Sequence, residues 1–151
     1  MAAHESRPGA PGERSIHLEV VTPERKIVGE SVDEVVLPGS QGYLGVLPGH
    51  APLLTGLGIG TVSYRRGSES RYLSLAWGFA EVLPNRVSIL AEIAERAEEI
   101  DRERAEKARD RAIGRLKGLG GEIDFKRAQV ALEKSLIRIQ VAAKAGPHGP
   151  A

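Results

Sequence analysis

The chain of 151 residues lacks cysteine altogether and contains only one tryptophan. The absence of cysteine excludes disulfide bonds, thiolate catalysis and cysteine-ligated metal sites. The net charge at pH 7 is only +1, which does not favour a general nucleic-acid binder. No long hydrophobic run is present either, because glycine, proline, histidine and threonine interrupt the most apolar region, residues 44–59. A membrane span needs about 18 or more apolar residues, so no direct span of the lipid is expected.

The first fifteen residues, MAAHESRPGAPGERS, contain no apolar core of the kind that a secretory signal requires. They predict a short disordered arm over residues 1–14, and residues 145–151 a flexible tail. The expected compartment is the cytosol, or the aqueous side of a membrane-bound assembly.

The composition changes near residue 95, which divides the chain into two parts. In residues 95–144, 23 of the 50 positions are charged and none is proline, whereas five of the six aromatic residues lie before residue 95. A part rich in glycine, proline and aromatics followed by a charged part without proline predicts β structure followed by α structure. We therefore expect a β domain over residues 15–94 and a helical domain over residues 95–144.

Short apolar runs with frequent turn signals mark the first part. Such runs predict an antiparallel sandwich or barrel, with Gly67-Ser68 as a hairpin turn. The predicted strands are residues 16–21, 35–37, 61–65, 72–76, 77–83 and 87–91.

Helical spacing marks the second part, and a glycine-rich break at residues 118–121 divides it into a hairpin. Asp101 and Asp124 are the predicted N-caps of the two helices. The predicted apolar stripes are Ala105, Ala108, Ala112 and Leu116 on the first helix, and Phe125, Ala128, Leu132, Leu136, Ile139 and Ala142 on the second. A stripe of alanines buries little area, so the hairpin is a candidate moving part. The alternative is that its charges solvate one face while the β domain covers the other.

Residues 37–54 are dense in glycine and proline but do not form a phosphate-binding loop, because no Gly-Lys-Ser/Thr follows. They predict either an exposed, mostly uncharged ridge that contacts another protein, or plain loop architecture. His50 fits a contact or packing role better than a metal ligand or catalyst. There is no H-E-x-x-H or G-x-S-x-G motif, so we expect no active site.

Arginines on the hairpin form a further candidate binding feature. Arg104, Arg111 and Arg115 share one side of a helix, and Arg138 on the second helix could approach them. Convergent guanidinium groups suit a nucleotide's phosphates. The alternative is a solvated surface with ion pairs such as Glu98–Arg102 and Glu103–Lys107.

With these residues in view, the sequence resembles the epsilon subunit of bacterial F-type ATP synthase. The resemblance runs from about residue 16 to residue 143. It is most specific in the segments LPGSQGYLGVLPGHAPLLT (37–55), WGFAEV (77–82) and VSILAE (87–92).

The resemblance implies an N-terminal two-sheet antiparallel β-sandwich and a C-terminal antiparallel helix pair. It implies a non-catalytic rotor subunit on the cytoplasmic face of the bacterial inner membrane, where the sandwich binds the gamma subunit and the c-subunit ring. The contact residues that it implies are Ser40, Gln41, Gly42, Tyr43 and His50. Some relatives carry an acid at the position of Tyr43.

In the resembled family the hairpin is regulatory: an extended form reaches the alpha–beta head and restrains ATP hydrolysis. Some members bind ATP on the folded hairpin, as a regulatory ligand and not as a required cofactor. The matching residues here are Glu95, Ile100, Asp101, Arg104, Ala105, Arg111 and Arg138. Lys134 replaces a further arginine, which keeps the charge but loses the planar fork. The rival hypothesis is a free-standing nucleotide-sensing adaptor with the same fold.

Overall fold

The structure, a computed structural model, describes residues 14–118 and 122–145. Most of the predicted N-terminal arm, residues 119–121 of the glycine-rich break and the tail after residue 145 lie outside these residues. The strands are β1 (Ile16–Val21), β2 (Lys26–Val32), β3 (Glu34–Gly39), β4 (Gly42–Val46), β5 (Leu53–Arg66), β6 (Glu69–Leu83) and β7 (Arg86–Arg96). A 3₁₀ turn (Ala97–Glu99) leads to the helices α1 (Arg102–Gly118) and α2 (Glu122–Ala142).

The seven strands form one continuous sheet in the order β2-β1-β7-β6-β5-β3-β4. Only Asp33 separates β2 from β3 in the chain, although four strands stand between them in this order. The sheet must therefore curl until its two ends face each other. The Asp33 amide donates to the Arg65 carbonyl at 2.8 Å, and an ion pair of 3.9 Å joins Arg66 of β5 to Glu30 of β2. The predicted sandwich followed by a helix pair is confirmed, with one parallel pairing, between β1 and β7, among antiparallel ones.

Alternation of apolar residues along the strands places one hydrophobic core inside the folded sheet. On β1, the side chains of Ile16, Leu18 and Val20 are fully buried. Each such side chain contributes about 1.5–3 kcal/mol relative to an exposed one. Burial also raises the pKa of Tyr64, at the edge of this core, to about 12.

The strands differ from the prediction in three ways: β2 and β4 were not predicted, β5 begins at Leu53 rather than at residue 61, and β6 is one strand where two were expected. Trp77 has a positive φ of 59° and no partner in the ladder with β7, but the pairing resumes at Gly78, which has a φ of 153° and lies opposite Ala91. Gly78 has no Cβ, so the β7 backbone can approach it closely. The turn at Gly67-Ser68 is confirmed, because Arg66 pairs with Glu69 across it.

The helices form the predicted hairpin, and α2 packs against β5 and β6. Asp101 caps α1 as predicted, because its Oδ1 accepts a hydrogen bond from the Arg104 amide at 3.0 Å. The prediction for Asp124 is wrong: α2 begins at Glu122, and Asp124 lies inside its first turn. An acid there still interacts favourably with the helix dipole.

The predicted apolar stripe of α2 is only partly right. Phe125 and Leu136 are 50% and 40% exposed, and the buried residues of α2 are Ala128, Ser135 and Val141. The buried positions of α2 thus carry two small residues and a valine rather than the large side chains that the spacing placed inside.

Candidate functional site

A cavity of about 290 Å³ lies between the sandwich and the hairpin. Strands β5 to β7 form one wall, and the two helices form the other. The lining residues are Ile59, Ser74, Leu75, Ala76, Ile93, Glu95, Ala108, Ala131, Lys134, Ser135, Ile137 and Arg138. Most of them are small or apolar, and the charged ones are Glu95, Lys134 and Arg138. We call this space the interdomain cavity.

Glu95 and Arg138, two residues of the implied nucleotide set, meet at the wall of the interdomain cavity. Arg138 donates from Nε to Glu95 Oε1 at 2.7 Å and from Nη2 to Oε2 at 3.2 Å. Both side chains are partly buried, and two parallel hydrogen bonds join them. Each charge is therefore already satisfied by the other.

Lys134 lies one helical turn before Arg138, and its ammonium group sits over the indole of Trp77 on β6. The distance from Nζ to the ring centroid is 4.3 Å, within the range of a cation–π contact. The sequence reasoning singled out Lys134 but missed Trp77. The motif around Trp77 entered only through the family resemblance, and no local pattern indicates which charge would face its ring.

The start of α1 is stabilised by Ile100, Asp101 and Ala105. Ile100 is buried in a small cluster with Ala97 and Val141, Asp101 caps the helix, and Ala105 is fully buried. None of them is among the residues that line the interdomain cavity.

Arg104 and Arg111 lie on the exposed side of α1. Within residues 14–118 and 122–145, neither forms an ion pair with a carboxylate. Of the predicted nucleotide set, the folded hairpin therefore brings Glu95 and Arg138 together and leaves Arg104 and Arg111 outside the cavity wall.

The predicted surface ion pairs of α1 are found in part. Glu103 and Lys107 pair at 3.2 Å, as expected. Arg102 pairs with Glu106 at 3.4 Å rather than with Glu98, because Glu106 lies one turn along the same helix face whereas Glu98 lies in the 3₁₀ turn before α1.

Three further contacts hold the hairpin and its connection against the sandwich. Arg25, in the β1–β2 turn, donates to Glu99 at 2.5 Å. This hydrogen bond, with the charge of Arg25, lowers the pKa of Glu99 below its ordinary value. Arg96 donates to the carbonyl of Ile27. The Lys144 ammonium lies 4.6 Å from the centroid of the Tyr72 ring.

The predicted contact ridge contains the short strand β4 and the turn that joins it to β3. The side chains of Ser40, Gln41 and Tyr43 are exposed, as is Gly42, which has a φ of 130°. Tyr43 is 61% exposed, but its hydroxyl accepts a hydrogen bond from the Thr61 amide at 3.1 Å. The ring therefore lies across β5 and presents an uncharged face to solvent.

His50 lies apart from this turn, in the loop before β5. Its Nδ1 is 2.7 Å from the carbonyl oxygen of Ala51, and its side chain is half-buried. The neighbouring Gly49 amide donates to the Pro84 carbonyl at 2.7 Å, which ties this loop to the β6–β7 turn. Among the described residues, no group of three or more histidine and acidic side chains could hold a metal ion.

The sequence reasoning missed an open apolar groove of about 720 Å³ on the outer face of the sandwich. Phe79 and Leu90 stand opposite each other on β6 and β7, and they are 63% and 62% exposed. Ser40 lines the same groove, so the groove borders the β3–β4 turn. Paired exposed apolar side chains of this size are typical of a protein interface. No helix of the described residues is long and apolar enough to cross a membrane.

Two family models match the chain in succession. The one described as "ATP synthase, Delta/Epsilon chain, beta-sandwich domain" matches residues 15–97. The one described as "ATP synthase, Delta/Epsilon chain, long alpha-helix domain" matches residues 98–143.

Comparison with individual protein sequences gives the same family. The ATP synthase epsilon chain of Nitratidesulfovibrio vulgaris strain DP4 is 47% identical over 133 residues, which cover 88% of this chain and 99% of that protein. The epsilon chain of Koribacter versatilis is 54% identical over 108 residues, 72% of this chain and 76% of that protein.

Among solved structures, a chain of the Euglena gracilis mitochondrial ATP synthase (OSCP/F1/c-ring) is similar with a TM-score of 0.74 and 26% identity. The match covers 85% of this chain and 81% of that one. A chain of the Tetrahymena thermophila mitochondrial ATP synthase, central stalk and c-ring, shares the fold with a TM-score of 0.60 at 14% identity, covering 83% and 94%. The chain thus belongs to the delta/epsilon chain family of ATP synthase, among the bacterial epsilon chains.

Proposed function

We propose that this chain is a non-catalytic subunit of the rotor in a bacterial F-type ATP synthase, coupling proton translocation to ATP synthesis. It would act as a peripheral protein on the cytoplasmic face of the plasma membrane. The observation that carries the proposal is the succession of both family domains over residues 15–143, with 99% of the length of a bacterial epsilon chain covered.

The sandwich binds the gamma subunit and the c-subunit ring in this proposal. The groove around Phe79 and Leu90 offers the apolar area that a stable protein contact needs. The β3–β4 turn offers an exposed, uncharged rim beside it, which includes Tyr43. These features support two adjoining contacts on one side of the sandwich.

The hairpin regulates hydrolysis in this proposal, by leaving the sandwich and reaching the alpha–beta head. Its docking supports such a role, because α2 packs through one small apolar cluster around Ile100 and Val141 and through a few polar pairs. Little apolar area must be exposed when it leaves, so a modest bias is enough to move it.

ATP is the proposed regulatory ligand, and no cofactor is required. The interdomain cavity supplies Glu95 and Arg138, while Arg104 and Arg111 must approach from α1 when the ligand binds. ATP at a hundred times its dissociation constant would favour the folded hairpin by about 2.7 kcal/mol.

Binding to purified gamma subunit tests the rotor role. We expect Phe79→Ala to weaken the affinity about tenfold or more, because truncating an anchor of an interface typically costs 1–2 kcal/mol or more. Phe125→Ala is the matched control, since Phe125 is also half-exposed but lies on the hairpin. Equal affinities of both variants and the wild type would contradict the proposed gamma contact.

Calorimetric titration with ATP tests the ligand. Saturable binding that Arg104→Ala weakens, and that Lys107→Ala leaves unchanged, would support the proposed site; Lys107 is an exposed cation on the same helix. If no heat is seen at millimolar ATP, the nucleotide part of the proposal is wrong and the rotor role stands.

A further inference from the structure

Two lysine–aromatic pairs join the hairpin to strand β6, and they differ in one respect. Lys134 lies 4.3 Å from the Trp77 ring centroid, and Lys144 lies 4.6 Å from that of Tyr72. Lys134 is among the residues that line the interdomain cavity, whereas Lys144 is not. The first pair therefore involves a cation that an anionic ligand would meet, and the second provides a natural control.

The backbone fixes the position of Trp77. Its φ of 59° is unusual for a residue with a side chain, and the residue lies between Ala76 and Gly78, which both pair with β7. The next residue, Gly78, lies so close to β7 that an added Cβ would come within 2.1 Å of the Leu90 carbonyl oxygen. The indole is thus presented from a rigid part of the sheet, and it is Lys134 that can move.

We propose that Trp77 sets the affinity of the interdomain cavity for anions, by holding the Lys134 ammonium against its ring when no ligand is bound. The inference rests on the proposed nucleotide site. A phosphate oxygen recruits Lys134 only by drawing it off the indole, so part of each new contact replaces an old one. The compact ammonium of lysine cannot contact the indole and a phosphate equally well at the same time. The planar guanidinium of arginine can stack on a ring while its edge still donates hydrogen bonds.

Arg138 follows the same pattern, because Glu95 already accepts hydrogen bonds from its Nε and Nη2. Both cations of α2 that border the cavity are thus engaged within the protein. Trp77 acts as a positioning residue for Lys134, the one of these two cations that forms no ion pair with a carboxylate among the described residues.

The test compares Trp77→Leu with Tyr72→Leu in calorimetric titrations of the full chain with ATP and with inorganic tripolyphosphate. Leucine, like tryptophan, is unbranched at Cβ and is apolar, but it offers no ring to the cation. We expect Trp77→Leu to bind both ligands about two- to fivefold more tightly, the equivalent of one exposed cation–π contact. Tyr72→Leu should bind them as the wild type does.

Fluorescence of the wild type provides a readout that needs no substitution at position 77, because Trp77 is the only tryptophan in the chain. Withdrawal of the ammonium from the indole should change its emission, with the same midpoint as the heat of ATP binding. In Lys134→Met the ATP-dependent change should disappear.

Equal ATP affinity of the wild type and a folded Trp77→Leu would overturn this inference and leave ATP binding intact. Emission that stays constant while ATP binds would also overturn it. If the wild type, Trp77→Leu and Lys134→Arg all fail to bind ATP and tripolyphosphate, the nucleotide site itself is wrong and the inference falls with it. Tighter binding by Trp77→Leu, with the affinity of Tyr72→Leu unchanged, supports both the nucleotide site and this inference.

Discussion

Among the described glycines, Gly78 is the one where an added Cβ would come closest to another backbone atom. A Cβ there would lie 2.1 Å from the Leu90 carbonyl oxygen and 2.9 Å from the Ala91 Cα, both of which are backbone atoms of the paired strand. Neither atom belongs to a flexible side chain, so β7 as a whole would have to move. The same close approach keeps β6 continuous beside Trp77.

We expect Gly78→Ala to destabilise the sandwich by about 3 kcal/mol or more, through the backbone clash and the strained φ of 153°. Gly58→Ala is the matched control on the neighbouring strand, because a Cβ at Gly58 meets nothing within 4 Å. That change should alter the free energy of unfolding by less than about 1 kcal/mol. Urea denaturation measures both, and equal effects would contradict the role of the close approach.

Two substitutions of Asp101 distinguish its role as a helix cap from a role in binding a nucleotide. Asp101→Ala should destabilise α1 by about 1 kcal/mol, because the Arg104 amide loses its acceptor. Asp101→Asn keeps a good capping group and should leave amide exchange in the first turn of α1 unchanged. If the carboxylate itself contacts a nucleotide, Asp101→Asn will lower ATP affinity while the helix stays protected.

At the scale of elements, the connection between β7 and α1 is tied down outside the interdomain cavity. Arg25 of the β1–β2 turn reaches Glu99 of the 3₁₀ turn, and Arg96 at the end of β7 reaches the Ile27 carbonyl. The hairpin therefore leaves the sandwich from an anchored point. When the docking of the hairpin changes, we expect the chain to bend after Glu99.

The Arg25–Glu99 pair makes the docking of this turn sensitive to acid. The pKa of Glu99 is lowered in the folded protein, so the pair stabilises the fold above the ordinary glutamate value of 4.5. That stabilisation is lost as the pH falls below 4.5 and through the lower folded-state pKa. We expect the unfolding free energies of the wild type and Arg25→Gln to differ at pH 7 and to converge in this acidic range. A difference that does not depend on pH would contradict the pairing.

Particular elements show which features the sequence could predict. The turn at Gly67-Ser68 and the cap at Asp101 depend on local chemistry, and both were correct. The α2 stripe was partly wrong, because helical spacing defines several possible faces and only packing against β5 and β6 selects one. Phe125, which the spacing placed inside, lies on the exposed side.

For the candidate site, the resemblance indicated Glu95 and Arg138 although 43 residues separate them, and the structure pairs them. It did not indicate that Trp77 lies under Lys134, since that contact depends on how the hairpin is rotated on the sheet. The exposed pair of Phe79 and Leu90 was missed for a related reason. Both belong to apolar runs that read equally well as core strands, and only the folded sheet shows which face is open.

At the scale of the whole molecule, the Glu95–Arg138 pair is the polar contact most able to link hairpin docking to regulation. Glu95→Arg or Arg138→Glu alone places two like charges together at a partly buried wall. We expect either change to disfavour the docked hairpin by about 1 kcal/mol or more. The double substitution restores opposite charges, and docking should recover. Hydrogen exchange of the α2 amides in the isolated chain measures this directly.

The same variants, reconstituted into the ATP synthase complex, connect docking to function. If undocking releases the inhibitory form, each single variant should lower the rate of ATP hydrolysis, and the double variant should return it toward the wild-type rate. Glu103→Lys is the control, because its pair with Lys107 lies on the exposed surface of α1 and does not involve the sandwich. Rescue is the decisive feature, since the effect of a general loss of folding would persist in the double variant. Hydrolysis that stays constant while α2 exchange increases would show that docking and inhibition are separate properties of the hairpin.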